Sequence, residues 1–206
     1  MTDIVRRLQI DNQTTVVIFK SDVPKFFLNH LDPAILTIDN AVENFAMLMY
    51  NISVLPQITI GAVEVRGRLG TFPGGGGSQQ LHRLIGRGRA MEYILTSKDI
   101  TPQEAERIGW INKAFDSSQE MYQYISEITS RLTLFPRGGV LAAKAAINYR
   151  ANPLRADYER DVGFFGPLLA NPDFPQILSK ATALTKNFTA GEAELNFGED
   201  VVQIYE

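Results

Sequence analysis

The sequence contains no cysteine. That excludes disulfides, thiolate nucleophiles, iron–sulfur clusters and zinc sites built on sulfur. Histidine is nearly as scarce: His30 and His82 stand 52 positions apart, so HExxH metal sites and most His-based triads are excluded as well. No window approaches the run of about 18 apolar residues that a membrane-spanning helix needs. The opening stretch from Met1 to Asn12 lacks the apolar centre of a signal peptide. A soluble protein of the cytoplasm or another intracellular compartment is therefore expected, with no membrane partner. Whatever chemistry it performs falls to carboxylates, backbone amides, hydroxyls or lysines.

What the chain does have is ordinary globular composition. Its 206 residues are 45% hydrophobic and 21% charged, which excludes a disordered or fibrous polypeptide. The length suits one sizeable domain, or one domain with a helical appendage. A net charge of −3 argues against a nucleic-acid surface spread over the molecule. The densest positive cluster, His82 with Arg83, Arg87 and Arg89, reads as a solvated helix face before it reads as a phosphate site.

Alternation and spacing outline the elements. Thr15 to Phe19 is a β-branched and aromatic run closed by Ser21-Asp22 and Pro24, the pattern of a buried strand and a turn; Ile58 to Val65 is a second. Between them, from Asn40 to Leu55, Val42, Phe45, Leu48 and Met49 recur at helical spacing. Strand, helix, strand is the signature of an α/β crossover. Ser78 is placed to cap a short helix with Leu81, Leu84 and Ile85 inward and Gly86 as its stop. Helix continues over Ala90 to Leu95. Thr101-Pro-Gln-Glu104 spells a complete capping box, with Gly109 as the C-terminal stop. Met121, Ile125, Ile128, Leu132 and Phe135 then mark one face of an amphipathic helix beginning at Ser118 and stopped by Pro136. Further helices are expected over Val140 to Tyr149, Asp157 to Leu169 and Ile177 to Phe188. The domain reading is an α/β core over residues 1–115 and a helical region over 116–206.

Gly70 to Gly77 reads GTFPGGGG, five glycines and a proline, and is not regular structure. It is no P-loop, because Ser78-Gln79 follows where lysine and a hydroxyl residue are required. Gly86-Arg-Gly88 lacks the third glycine of a dinucleotide site, and Gly-Gly-Ser78-Gln-Gln is not a nucleophile elbow.

The order of three segments is more specific. Phe26 to Asp32 (FFLNHLD) after a strand, Leu55 to Arg68 (LPQITIGAVEVRGR), and Gly70 to Phe115 (GTFPGGGGSQQLHRLIGRGRAMEYILTSKDITPQEAERIGWINKAF) closely resemble the crotonase, or enoyl-CoA hydratase/isomerase, family. Pro136 to Asn148, with Lys144, is similar to that family's C-terminal helix. The resemblance implies an α/β crotonase (ClpP/crotonase-like) spiral of βαβ units followed by helices, a homotrimer or hexamer, and a coenzyme A thioester as substrate with no other cofactor and no metal. It implies a thioester enolate held by two backbone N–H groups; such donors contribute roughly 3–4 kcal/mol each to a transition state. Aligning FFLNHLD on the family's F-x-x-G-A-D motif gives the first donor to the N–H of Leu31, with His30 where glycine is usual. Phe27, His30 and Asp32 then flank the substrate, Gly67, Gly74 and Gly75 border the acyl pocket, and Lys25 meets CoA phosphates. Asp32 caps the following turn rather than acting as a base.

One departure stands out. After Val65-Arg-Gly-Arg68 the family continues with a G-G-G-x-E segment, a helix, a strand and a Q-P-E segment, whereas here Leu69-Gly70 follows at once. The second oxyanion donor and both hydratase glutamates belong to that segment. Either the polypeptide is shortened or its sequence joins two flanking segments. The chain also begins at what resembles the family's first long helix, so the initial β-hairpin is expected to be missing. Hydration needs two carboxylates on one water. Glu64, in a strand, and Glu92, on a helix, read instead as surface or structural groups. An enoyl-CoA hydratase or isomerase is thus one expectation, and a catalytically silent binding or oligomerisation module of the same fold is the other.

Overall fold

The computed structural model describes residues 1–22, 40–63, 75–185 and 201–205. Residues 23–39, 64–74, 186–200 and 206 lie outside that description, and with them Lys25, Phe27, His30, Leu31, Asp32, Glu64, Gly67, Gly74 and the Arg68–Leu69 junction.

Helix α1 (Thr2–Ile10) leads into strand β1 (Val16–Lys20), helix α2 (Ala41–Ser53) and strand β2 (Ile58–Ala62). The strands pair in parallel, Val16 opposite Ile58 through Lys20 opposite Ala62, so the expected crossover is present. A parallel pair requires such a connection, since a tight turn can only reverse a chain. The first strand is less enclosed than its composition suggests: Val16, Val17 and Phe19 are half-buried, and Ile18 is exposed. The sheet has two strands among the described residues, which leaves the faces of β1 partly open.

Among the described residues seven helices follow: α3 (Gly77–Ile85), α4 (Arg87–Thr96), α5 (Pro102–Arg107), α6 (Ser118–Leu134), α7 (Arg137–Ala151), α8 (Arg155–Leu169) and α9 (Phe174–Thr185), with a 3-10 turn over Val201–Ile204. An apolar cluster joins α3, α4 and α5 through Leu81, Ile85, Ala90, Tyr93, Ile100, Ala105 and Ile108. Full burial of each large aliphatic side chain in it stabilises the fold by about 1.5–3 kcal/mol. A second cluster seats Met121 and Ile125 of α6 on Ala62 at the end of β2. Helix α9 closes on the 3-10 turn through Ala181 and Ile204.

Several expectations need correction. Leu84 is 53% exposed, so α3 turns only Leu81 and Ile85 inward. On α6, Phe135 is exposed beyond the helix end, while Met121 and Ile125 alone are buried. The capping box at α5 forms by half. The Glu104 N–H donates to Thr101 Oγ1 at 3.1 Å, but the Glu104 carboxylate turns away, accepting the Tyr93 hydroxyl at 2.9 Å and the Arg107 guanidinium at 2.6 and 2.5 Å. A charged guanidinium is the stronger partner. Those bonds, Arg107 first and then Tyr93, draw the Glu104 pKa from 4.5 to about 2. Gly109, at φ 80°, ends this segment as expected.

Candidate active site

Of the residues singled out for the site, Gly75 is the one in the described part of the chain, and it opens the turn that starts α3. Gly75 is half-buried and Gly76 buried. A Cβ on Gly75 would stand 2.5 Å from Phe45 Cε1 on α2. At Gly76 it would stand 2.2 Å from Cε1 of Tyr158 on α8, and φ there is +85°, which L side chains rarely adopt. Gly76 is therefore obligatory, since the buried Tyr158 ring fills the space a side chain would need, whereas a Cβ on Gly75 would only have to displace the ring of Phe45, itself 39% exposed.

Gly76 is also the N-cap of α3 and has no side chain to cap with. Ser78, expected in that role, sits at the second helical position, and its hydroxyl serves a different partner. It donates to the Asp161 carboxylate on α8, with Oγ 2.7 Å from Oδ1 and 2.8 Å from Oδ2. Gln79 Nε2 donates to Asp161 Oδ1 at 3.0 Å. Asp161 is fully buried, and a buried carboxylate persists only when hydrogen-bonded in this way. Nothing in the local sequence marks Asp161 for this part; the one signal was a serine and a glutamine directly after a glycine run, both needing partners once buried.

The contact continues along the same helices. Gln80 Nε2 donates to the Tyr158 hydroxyl at 2.9 Å and to Asn152 Oδ1 at 3.3 Å. Asn152 Nδ2 donates to Ser53 Oγ at 3.0 Å, and the Tyr50 and Tyr158 rings meet edge-on with centroids 5.5 Å apart. Arg83 of the expected solvated face instead pairs with Asp157 at 3.1 Å, whereas Arg87 and Arg89 are exposed. Asp157 also accepts the Leu154 N–H at 2.9 Å, capping α8.

Lys144 has a structural post. From α7 its Nζ donates to the Gln57 carbonyl and, at 2.9 Å, to the Leu55 carbonyl just before β2. Burial pushes its pKa below the usual 10.5. Glu92 is exposed on α4, as expected of a surface carboxylate.

An open cleft of about 360 Å³ lies between α5 and α6, lined among others by Glu106, Lys113, Phe115, Asp116, Glu120 and Glu127. None of the residues singled out from the sequence lines it. Four carboxylates around one lysine repel phosphates, so this is no place for a CoA nucleotide. The glycine turn remains the candidate. No group of carboxylates and histidines fit to hold a metal occurs among the described residues, nor is any helix among them long and apolar enough to cross a membrane.

Comparison with known proteins gives the family and the fold. Residues 48–173 match the enoyl-CoA hydratase/isomerase family. A short-chain-enoyl-CoA hydratase from Clostridium acetobutylicum is 40% identical over 80 residues, 39% of this chain and 30% of that protein. The 2,3-dehydroadipyl-CoA hydratase of Escherichia coli K12 is 29% identical over 58% of this chain and 43% of its own length. The matched stretch thus spans less than half of either relative. Among solved structures, a Streptomyces avermitilis protein assigned as an enoyl-CoA hydratase superposes with a TM-score of 0.83 at 28% identity, covering 97% of this chain and 84% of that one. A Geobacillus kaustophilus relative, also an enoyl-CoA hydratase, gives 0.61 at 27% identity, covering 92% and 84%. With its parallel βαβ unit, its helical C-terminal part and this match over more than half its length, the chain belongs to the enoyl-CoA hydratase/isomerase family and has the crotonase fold.

Proposed function

We propose that the protein binds a coenzyme A thioester and stabilises the enolate form of its carbonyl with backbone amides. The observation that carries this reading is the glycine turn at Gly75–Gly76. It is built where the family's glycine-rich segment falls, and at Gly76 the buried Tyr158 ring and a φ of +85° leave room for bare backbone alone. Bare backbone is what an oxyanion site requires, since an amide N–H must approach the reacting oxygen to about 3 Å. In this reading the Leu31 N–H is one donor, and Gly67, Gly74 and Gly75 border the acyl chain. Phe27, His30 and Asp32 flank it, and Lys25 meets the phosphates. Coenzyme A enters as part of the substrate, and no separate cofactor is involved.

The catalytically silent module has its own support. Arg68 runs directly into Leu69, so the segment that supplies the family's glutamate pair is not there, and Glu92 is exposed on α4. Two carboxylates on one water are what hydration needs. Titration with crotonyl-CoA, following loss of the enone absorbance, separates the readings. Turnover establishes an enzyme, saturable binding without turnover establishes a silent acyl-CoA module, and absence of any binding removes both CoA readings.

Self-association as a homotrimer or hexamer is part of the same proposal. Helix α7 has no buried residue, and Ile147, Tyr149, Leu154 and Phe164 are each more than 60% exposed on α7, α8 and the turn between them. Large exposed apolar side chains in this number along one stretch of chain are what a subunit contact would cover. Light scattering after size exclusion should give a trimer or a multiple of it; a monomer at micromolar concentration would contradict this part.

A further inference from the structure

We infer that Asp161 is a positioning residue that latches the glycine turn, and that α8 thereby sets the shape of the acyl side of the pocket. The inference rests on the CoA-thioester reading and adds to it a residue from the far end of the chain. Three residues of this turn are held by side chains from elsewhere: Gly75 by Phe45, Gly76 by Tyr158 and Ser78 by Asp161. The last two lie three apart on α8, hence on one face of that helix, and both are buried. Helix α3 has no cap of its own at Gly76, and glycine gives a backbone the widest freedom to wander. The lock on this turn is therefore supplied from 83 positions away by a carboxylate that accepts Ser78 through both oxygens and Gln79 through Oδ1. Without it the first turn of α3 loses its acceptor while the Tyr158 ring still presses on Gly76, and the amides bordering the acyl chain lose their fixed position.

The test measures binding of butyryl-CoA and of free CoA by calorimetry to the full chain and to Asp161→Ala, Asp161→Asn and Ser78→Ala, together with hydrogen exchange at residues 76–80. Asparagine keeps the shape, accepts Gln79 through Oδ1 and can donate to Ser78 Oγ, whereas alanine leaves both partners stranded. Asp161→Ala and Ser78→Ala should each weaken butyryl-CoA binding about tenfold or more and speed exchange at residues 76–80 by a similar factor, as expected for a lost bond to a charged group. Free CoA should bind as before. Asp161→Asn should recover most of the loss, and Ser78→Ala should add nothing to Asp161→Ala, because the two act through one contact.

Unchanged ester binding in Ser78→Ala and Asp161→Ala overturns the proposal. So does an equal loss for ester and free CoA, which would mean general destabilisation. Should Asp161→Ala fail to fold, Ser78→Ala and Asp161→Asn carry the same outcomes. If the unaltered protein binds no ester, the functional reading fails and takes the pocket role of Asp161 with it. The exchange data distinguish that failure from failure of the latch, which shows as unchanged exchange at residues 76–80.

Discussion

The helices after the glycine turn and helix α7 are joined to the molecule by opposite means. Helices α3, α4 and α5 close on seven buried residues from Leu81 to Ile108, and their stability comes mainly from apolar area removed from water. Helix α7 buries no residue. It is tied down by polar side chains that reach across to carbonyls of the loops before the two strands and of the end of α2: Lys144 to Leu55 and Gln57, Arg137 to Thr14 at 3.2 Å, and Asn148 to Ser53 at 3.4 Å. A helix attached by donors rather than by an apolar stripe keeps its hydrophobic residues for another surface, which fits the proposed self-association. The contrast teaches that one chain can use burial where it needs rigidity and directional bonds where it needs a free face.

The sharpest way to break the comparison is a pair of isoleucines. Ile85→Ala should cost about 2–5 kcal/mol by emptying part of the α3–α5 cluster, while Ile147→Ala, at a side chain 68% exposed, should change the stability of the isolated chain by less than about 0.5 kcal/mol. Denaturant unfolding of both measures this, and equal losses would erase the distinction. Next in size is the glycine pair. Gly76→Ala meets the Tyr158 ring and a positive φ together, for a loss of about 2–4 kcal/mol. Gly163→Ala, mid-helix on α8 with nothing within 4 Å, should gain about 0.5–1 kcal/mol.

On the polar side, Lys144→Met should lose about 1–3 kcal/mol by stranding the Leu55 and Gln57 carbonyls, and it should loosen α7 in hydrogen exchange before α3. The smallest effect is one of pH. The Glu104 carboxylate is held at about 2 in the fold against an ordinary 4.5, so its stabilising share is complete above 4.5 and is lost as pH falls from there towards 2. Thermal melts of Glu104→Gln should show less decline than the unaltered protein across that interval. Parallel declines would mean that the Arg107 and Tyr93 bonds contribute nothing.

Much of this was legible in the residues. Runs of β-branched and aromatic residues marked both strands of the βαβ unit, although the second, expected to reach Val65, ends at Ala62 with Val63 already outside it, and caps and spacing located α3 to α9 to within a few residues. The errors have physical causes. Ser78 carries the hydroxyl of a cap, but Gly76, two residues earlier, took the left-handed cap position, which freed Ser78 to meet Asp161. Glu104 satisfies the capping-box spacing, yet Arg107 three residues on is a stronger partner than a backbone amide. Leu84 and Phe135 fit the apolar periodicity but lie at the edge of each buried stripe. For the candidate site, the glycine turn was visible because only glycine tolerates such backbone. Phe45, Tyr158 and Asp161 were not, because their part depends on helices brought together across long stretches of chain, and no local pattern encodes that.

The measurement closest to the central claim is equilibrium binding of a non-hydrolysable crotonyl-CoA analogue in competition with free CoA. If the glycine turn borders a pocket for a thioester, the analogue should saturate one site per chain and bind more tightly than CoA itself. Equal affinity, or none, would contradict the account.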